Sequence, residues 1–311
     1  MGRSYDAVIM IGYGGPEKPE DILPFLRNAT KGRGIPEERL QEVARHYEKI
    51  GGRSPINELT FKQARGLERE LEEMGHKLPV YVGMRNWRPL LADTVKRMAE
   101  DGVRSAVGII LSAYQSPASW EQYMENFGDA LAEAGVEMDV AYTPPVFDHP
   151  LFIESLAENV SACLDHIPEA ERAGAKLIFT AHSIPVVMAD RAPYVQQLET
   201  ASGLVAGRVG RGDDWMLCYQ SRSGRPQDPW LEPDICDVVR DLARRGVKYV
   251  IVEPIGFICD HVEVLFDIGV EAKEAAEEAG VELLRAETVN DHRKFLRALA
   301  DLVDATITGS E

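Results

Sequence analysis

The stretch "KYVIVEPIGFICDHVEVLFDIGVEAK", residues 248–273, changes character halfway. Its first part, "KYVIVEPI" (248–255), is a nearly continuous apolar run. A strand that is apolar throughout, rather than at every second position, is covered on both faces, which is the habit of parallel sheets. The second part carries Asp260, His261, Glu263, Asp267 and Glu271. Glu263, Asp267 and Glu271 fall four residues apart, so a helix would set them in one stripe, each about 40° round from the last. Like charges at that spacing destabilise a helix by a few tenths of a kcal/mol each, so the stripe asks for a purpose.

Working outward, the same strand-then-helix unit recurs along the chain. Strands are expected at "DAVIMIGY" (6–13), "LPVYVGM" (78–84), "SAVGIILS" (105–112), "EMDVAY" (137–142), "AKLIFTAH" (175–182), "WMLCYQ" (215–220), 248–255 and "VELLRA" (281–286). Amphipathic helical runs separate them, among them 36–50, 61–74 and 233–246. Alternation of covered strands and helices means an α/β fold with parallel sheets. The pattern divides into two similar halves, residues 1–143 and 144–289, with "PPVFDHP" (144–150) at the junction. The last helix, "DHRKFLRALADLVDAT" (291–306), lies in the tail 290–311, which is expected to join the first half.

Composition narrows the class. The 311 residues are 45% hydrophobic and 27% charged, enough to bury a sizeable core without disulfides. A net charge of −17 argues against nucleic acid, whose phosphates need a cationic surface. No apolar run approaches the ~18 residues of a membrane span, and the N-terminus turns straight into a strand, so a cytoplasmic protein is expected. The four cysteines, Cys163, Cys218, Cys236 and Cys259, include no CxxC pair. Their scatter reads as reduced thiols and speaks against a permanent zinc or iron–sulfur site.

In open α/β folds ligands bind beyond the carboxyl ends of the strands, so chemistry is sought there. The first strand runs into "GYGGPE" (12–17), but Glu17 replaces the third glycine of a dinucleotide fingerprint and Pro16 lacks an amide donor. Tyr13 in that turn is either a phenol aimed at a ligand or a ring packed on the sheet edge. Another strand ends in "FTAHSIP", which sets His182 at its terminus; Ser183 beside it lacks the GxSxG context of a nucleophile. A third strand feeds Glu263 into the first turn of the helix after it, where the dipole favours an anion. One imidazole and one carboxylate are too few for a closed metal site, but they suit a divalent ion held briefly and passed on. The stripe through Asp267 and Glu271 then reads as a path for that ion, and its continuation into Glu274, Glu277 and Glu278 as solvated surface.

Several long motifs, in order, carry a resemblance. They are "GYGGPE", "YEKIGGRSPINELTFKQ" (47–63), "GMRNWRP" (83–89), "LSAYQSPASWEQY" (111–123), "TAHSIP" (180–185), "YQSRSGRPQDPWLEPD" (219–234) and "GFICDHVEVLFD" (256–267). Nearly end to end, the chain resembles the ferrochelatases, and within them the coproporphyrin III type of Gram-positive bacteria; "GMRNW" and "SAYQSPASWEQY" carry the narrower likeness. The resemblance implies two doubly wound α/β halves with a porphyrin cleft between them, and insertion of Fe²⁺ as a substrate. It implies His182 and Glu263 as the metal-contacting pair and Tyr13 as the group approaching the metal from the other side. His46, Tyr47, Ser54 and Tyr123 match positions that contact the porphyrin or its carboxylates. Thr30 stands where relatives often carry an arginine for a propionate, which leaves Arg27, Lys31 and Arg33 nearby. Some members hold a [2Fe–2S] cluster; here Trp120 occupies the loop position and nothing beyond Cys259 is cysteine, so no cluster and no permanent cofactor are expected. Neighbouring haem-pathway enzymes are expected as transient partners. Protoporphyrin IX as substrate, a cobalt or nickel chelatase of the same fold, and a non-catalytic tetrapyrrole carrier are the alternatives.

Overall fold

A computed structural model describes residues 4–225 and 227–309. All eight expected strands form: β1 (Ala7–Gly12), β2 (Val80–Met84), β3 (Ser105–Ile110), β4 (Asp139–Tyr142), β5 (Lys176–His182), β6 (Trp215–Gln220), β7 (Tyr249–Glu253) and β8 (Glu282–Arg285). They make two four-stranded sheets, ordered β2-β1-β3-β4 and β6-β5-β7-β8, and every pairing is parallel. The apolar runs explain this. All six residues of β1 are buried, so both of its faces are covered and no polar alternation could survive.

The chain separates into two compact units. The first comprises residues up to Ala113, Pro117–Val146 and the chain from Asn290 on; the second comprises Tyr114–Ser116 and Phe147–Val289. Three residues of the loop after β3 therefore count with the second unit. There Gln115 and Gln197 bond reciprocally, the Gln115 N–H donating to Gln197 Oε1 and Gln197 Nε2 to Gln115 Oε1, both at 2.8 Å.

The terminal helix, Arg293–Thr308, packs in the first unit on the helix Ile56–Glu73. Phe295, Leu296, Leu299 and Val303 are buried at helical spacing and make its inner face. Gly66 is needed on the partner helix, because a Cβ there would stand 2.2 Å from Leu296 Cδ1. Arg293 fastens the joint, Nε to Glu70 at 2.9 Å and a terminal nitrogen to Glu73 at 3.0 Å. In the second unit, Val238, Val239 and Leu242 of the helix Ile235–Arg244 close one sheet face together with Val264, Ile268 and Ala272.

The segment that opened the sequence reading departs from expectation. Glu263–Ala272 is a π-helix, not an α-helix. Its i→i+5 bonds put more than four residues in each turn, so a four-residue step falls short of a full turn instead of overshooting it. The stripe survives, but it drifts in the opposite sense. Pro117–Glu121 in the first unit is a shorter π-helical turn. Among the described residues no helix is long and apolar enough to cross a membrane.

Candidate active site

In the second unit, His182 is the last residue of β5. Its Nδ1 faces the carbonyl of Ser183, which can only accept, so Nδ1 carries the proton. In the neutral ring, Nε2 is then a bare lone pair, and it lies 3.7 Å from Glu263 Oε1. Two electron-rich atoms facing each other at that distance make a place for a cation or a proton. The side chains are 29% and 40% exposed, so the place is open to ligands. The backbone around it is pinned from a neighbouring helix and from β6. Tyr194 donates its hydroxyl to His182 O at 3.0 Å, and Gln220 Nε2 donates to Glu263 O at 3.1 Å. Gln220 is itself oriented by Thr180, whose hydroxyl donates to its Oε1. Ser183 donates its hydroxyl to Leu231 O at 2.8 Å, which spends it structurally.

Sequence reasoning gave His261 no role, yet it completes this group. Its Nδ1 lies 3.5 Å from Glu263 Oε2 and accepts the Glu263 backbone N–H at 3.2 Å, so the neutral ring holds its proton on Nε2. Burial pushes its pKa down, against the pull of Glu263 and Asp260, and Phe257 meets the ring edge-on at 4.4 Å. The Glu263 carboxylate is thus bracketed by two imidazoles. Asp260, in contrast, is tied into the fold by Arg285 and Thr288, each at 3.0 Å.

The outer stripe residues differ from one another. Asp267 accepts the hydroxyl of Ser221, and burial, reinforced by Glu263 and Glu271, lifts its pKa to about 8. At neutral pH it is largely a neutral acid. Ser221 holds φ at +63°, a left-handed conformation that is unfavourable for a residue with a Cβ, and so brings its hydroxyl to Asp267. Glu271 is exposed, as are Glu274, Glu277 and Glu278. A second buried carboxyl, Glu253, ends β7 with no exposure and no hydrogen-bond partner on either oxygen, and desolvation raises its pKa well above the ordinary value.

The first unit gathers aromatic rings at its own strand ends. Phe25 is the hub, meeting Tyr13 and Tyr47 edge-on at 6.2 Å and Trp87 at 6.1 Å. Tyr13 is 38% exposed, whereas Tyr47 and Tyr123 are buried with 3% and 6%. The glycine turn has local causes. Gly14 adopts φ +81°, and a Cβ on Gly15 would press on Ile56 and Ser54 at 2.7 and 2.9 Å. The Gly15 N–H is consumed by Asn57 Oδ1 at 3.0 Å, which removes a donor from any phosphate cradle. Ser54 is buried and accepts the Ile56 N–H at 3.4 Å, and burial lowers the pKa of His46. Thr30 donates back to Leu26 O at 2.7 Å, and Arg27 is paired with Glu37 on the surface.

The family model described as ferrochelatase matches residues 5–307. The chain belongs to the ferrochelatase family. Among known proteins it is similar to the coproporphyrin III ferrochelatase of Mycolicibacterium smegmatis, with 44% identity over 98% of this chain and 91% of that one. The protein of the same name from Nocardia farcinica is 45% identical, over 98% of this chain and 89% of that one. Among solved structures, SirB from Bacillus subtilis with Fe³⁺ is 12% identical at a TM-score of 0.57, covering 99% of this chain and 97% of that chain. That likeness speaks to the fold alone: two parallel α/β units of chelatase type. In this ferrochelatase family member all four cysteines are free thiols, and burial pushes Cys163 up to about 11 and both Cys236 and Cys259 to about 12. Trp120 is 7% exposed and lines a small cavity with Ile109, Leu299 and Leu302 in the first unit.

Proposed function

We propose that this ferrochelatase family member inserts Fe²⁺ into coproporphyrin III, with His182 and Glu263 handling metal and protons. The geometric observation that supports the roles is the His182 Nε2 lone pair opposed to Glu263 Oε1 at 3.7 Å. Metalation exchanges two pyrrole N–H protons for one divalent ion. A neutral imidazole with a bare Nε2 accepts a proton at that atom, while the carboxylate lowers the energy of the cation beside it. Two loose ligands can give up the ion to four pyrrole nitrogens, whereas a closed four-ligand site would retain it. His261 positions Glu263 by accepting its backbone N–H and, as a neutral ring, adds no positive charge to repel the ion.

In this reading the first unit addresses the macrocycle, with Tyr13, His46, Tyr47, Ser54 and Tyr123 as substrate contacts. Asp267 and Glu271 lead the ion inward, with Asp267 giving up its proton to do so. The reaction needs no resident cofactor, Fe²⁺ and porphyrin are both substrates, and the cytoplasm is its site.

The deciding experiment is anaerobic addition of Fe²⁺ to the protein with coproporphyrin III, followed by absorption. Protein-dependent collapse of the free-base bands into a metalloporphyrin spectrum is expected. An unchanged rate with and without the protein would reject the reading. Protoporphyrin IX in the same assay is expected to be the poorer substrate, since it offers two carboxylates where coproporphyrin III offers four.

A further inference from the structure

Arg85 directly follows β2, and its backbone N–H donates to Gly12 O at 2.9 Å. Its guanidinium carbon lies 4.5 Å from the centroid of the Tyr123 ring and 5.9 Å from that of Tyr13. Nε donates to Asn126 Oδ1 at 2.6 Å. Stacking and one amide therefore hold the group, which is half-buried, in a single orientation. No described carboxylate lies within ion-pair distance of it, although the chain carries a net charge of −17. Elsewhere partly buried arginines find acids, as Arg285 finds Asp260 at 3.0 Å. A half-desolvated cation is costly without an anion, and the two terminal nitrogens of Arg85 have no partner among the described residues. The cations of the segment 27–33 are spent or exposed, Arg27 on Glu37 and Lys31 and Arg33 in solvent.

We infer that Arg85 is a substrate-binding residue that holds one side-chain carboxylate of the porphyrin with its terminal nitrogens. The inference rests on the porphyrin reading above and names a residue that recognises the acid groups. A planar fork already fixed against two rings loses little freedom on binding and matches a carboxylate with two parallel bonds. A lysine at the same place would offer a point charge without the fork.

Binding of coproporphyrin III and of its tetramethyl ester to the full chain, without iron, is followed by quenching of tryptophan fluorescence in one detergent-containing buffer. Arg85→Met is expected to weaken the free acid about ten-fold or more and the ester less than about two-fold. Arg85→Lys is expected to fall between for the acid and to leave the ester unchanged. Unchanged binding of the acid, or equal losses for acid and ester, would overturn the assignment. Should Arg85→Met fail to fold, Arg85→Lys decides alone: a selective loss for the acid supports the fork, and none rejects it. The assay contains no iron, so the two readings can fail separately. A chain that binds the acid through Arg85 but inserts no metal removes only the chelatase mechanism.

Discussion

The two units repeat one backbone plan and put unlike chemistry at its ends. Each sheet runs second–first–third–fourth strand, and each third strand is followed by a π-helical turn. After the first strand comes Tyr13 in one unit, where the other closes its first strand with His182. After the second strand stands Arg85 in one unit and Ser221 in the other. The first unit thus presents rings and a fixed cation, and the second presents imidazoles and carboxyls. Parallel strands direct their carboxyl ends to one edge, so the plan chooses where side chains gather while residue type chooses what they do. A π-helical turn is rare and recurs at functional sites, and here the longer one carries Glu263.

The comparison breaks most readily at His182. His182→Ala is expected to cut turnover about 100-fold or more while porphyrin binding, read by fluorescence, stays within about two-fold. Retention of more than about a tenth of turnover would return His182 to a structural role. Glu263→Gln keeps the shape and removes the charge, and a loss of similar size is expected in the same assay.

Glu253 tests whether the carboxyls of the second unit are all functional. Its pKa is raised in the folded protein, so its contribution to stability is full below the unfolded value near 4.5 and declines as pH rises towards the folded value. Each pH unit in that window costs at most about 1.4 kcal/mol relative to a residue without a carboxyl. Glu253→Leu should therefore raise the melting temperature by an amount that grows from pH 5 to pH 8. A difference that does not vary with pH would mean the carboxyl is not held protonated.

Smaller effects separate the stripe from solvated surface. Asp267 titrates near 8, so below that pH Asn is a fair copy of the protonated acid, and above it the wild type gains a carboxylate. Asp267→Asn is expected to change the KM for metal by less than about three-fold at pH 7 and by more at pH 9, given an interaction of about 1 kcal/mol or less between partly solvated charges. Identical KM values at both pH values, together with an inert Glu271→Gln, would reduce the stripe to a solvent face. Least of all, Tyr13→Phe should alter the absorption spectrum and release of the iron product, with porphyrin affinity within about two-fold because the ring contact with Phe25 is kept. An unchanged product spectrum would make Tyr13 a packing residue.

Much of this was legible in one dimension because it depends on short-range pattern. Continuous apolar runs imply covered strands, covered strands imply parallel pairing, and parallel pairing sends His182 to a strand end whatever its neighbours are. The order of motifs was equally local, and it carried the family; it also singled out His182 and Glu263, which the fold brings within 3.7 Å of each other. What the chain could not announce is set by contacts between residues far apart in sequence. The bare Nε2 of His182 depends on which carbonyl meets Nδ1, and the raised pKa of Asp267 on how deeply the π-helix buries it beside Ser221. The same holds for Arg85, whose sequence context says nothing of two rings 38 and 72 residues away, Tyr123 and Tyr13. Periodicity records how a segment faces its surroundings, but desolvation, tautomer and charge pairing belong to the surroundings themselves, and those exist only once the chain has folded.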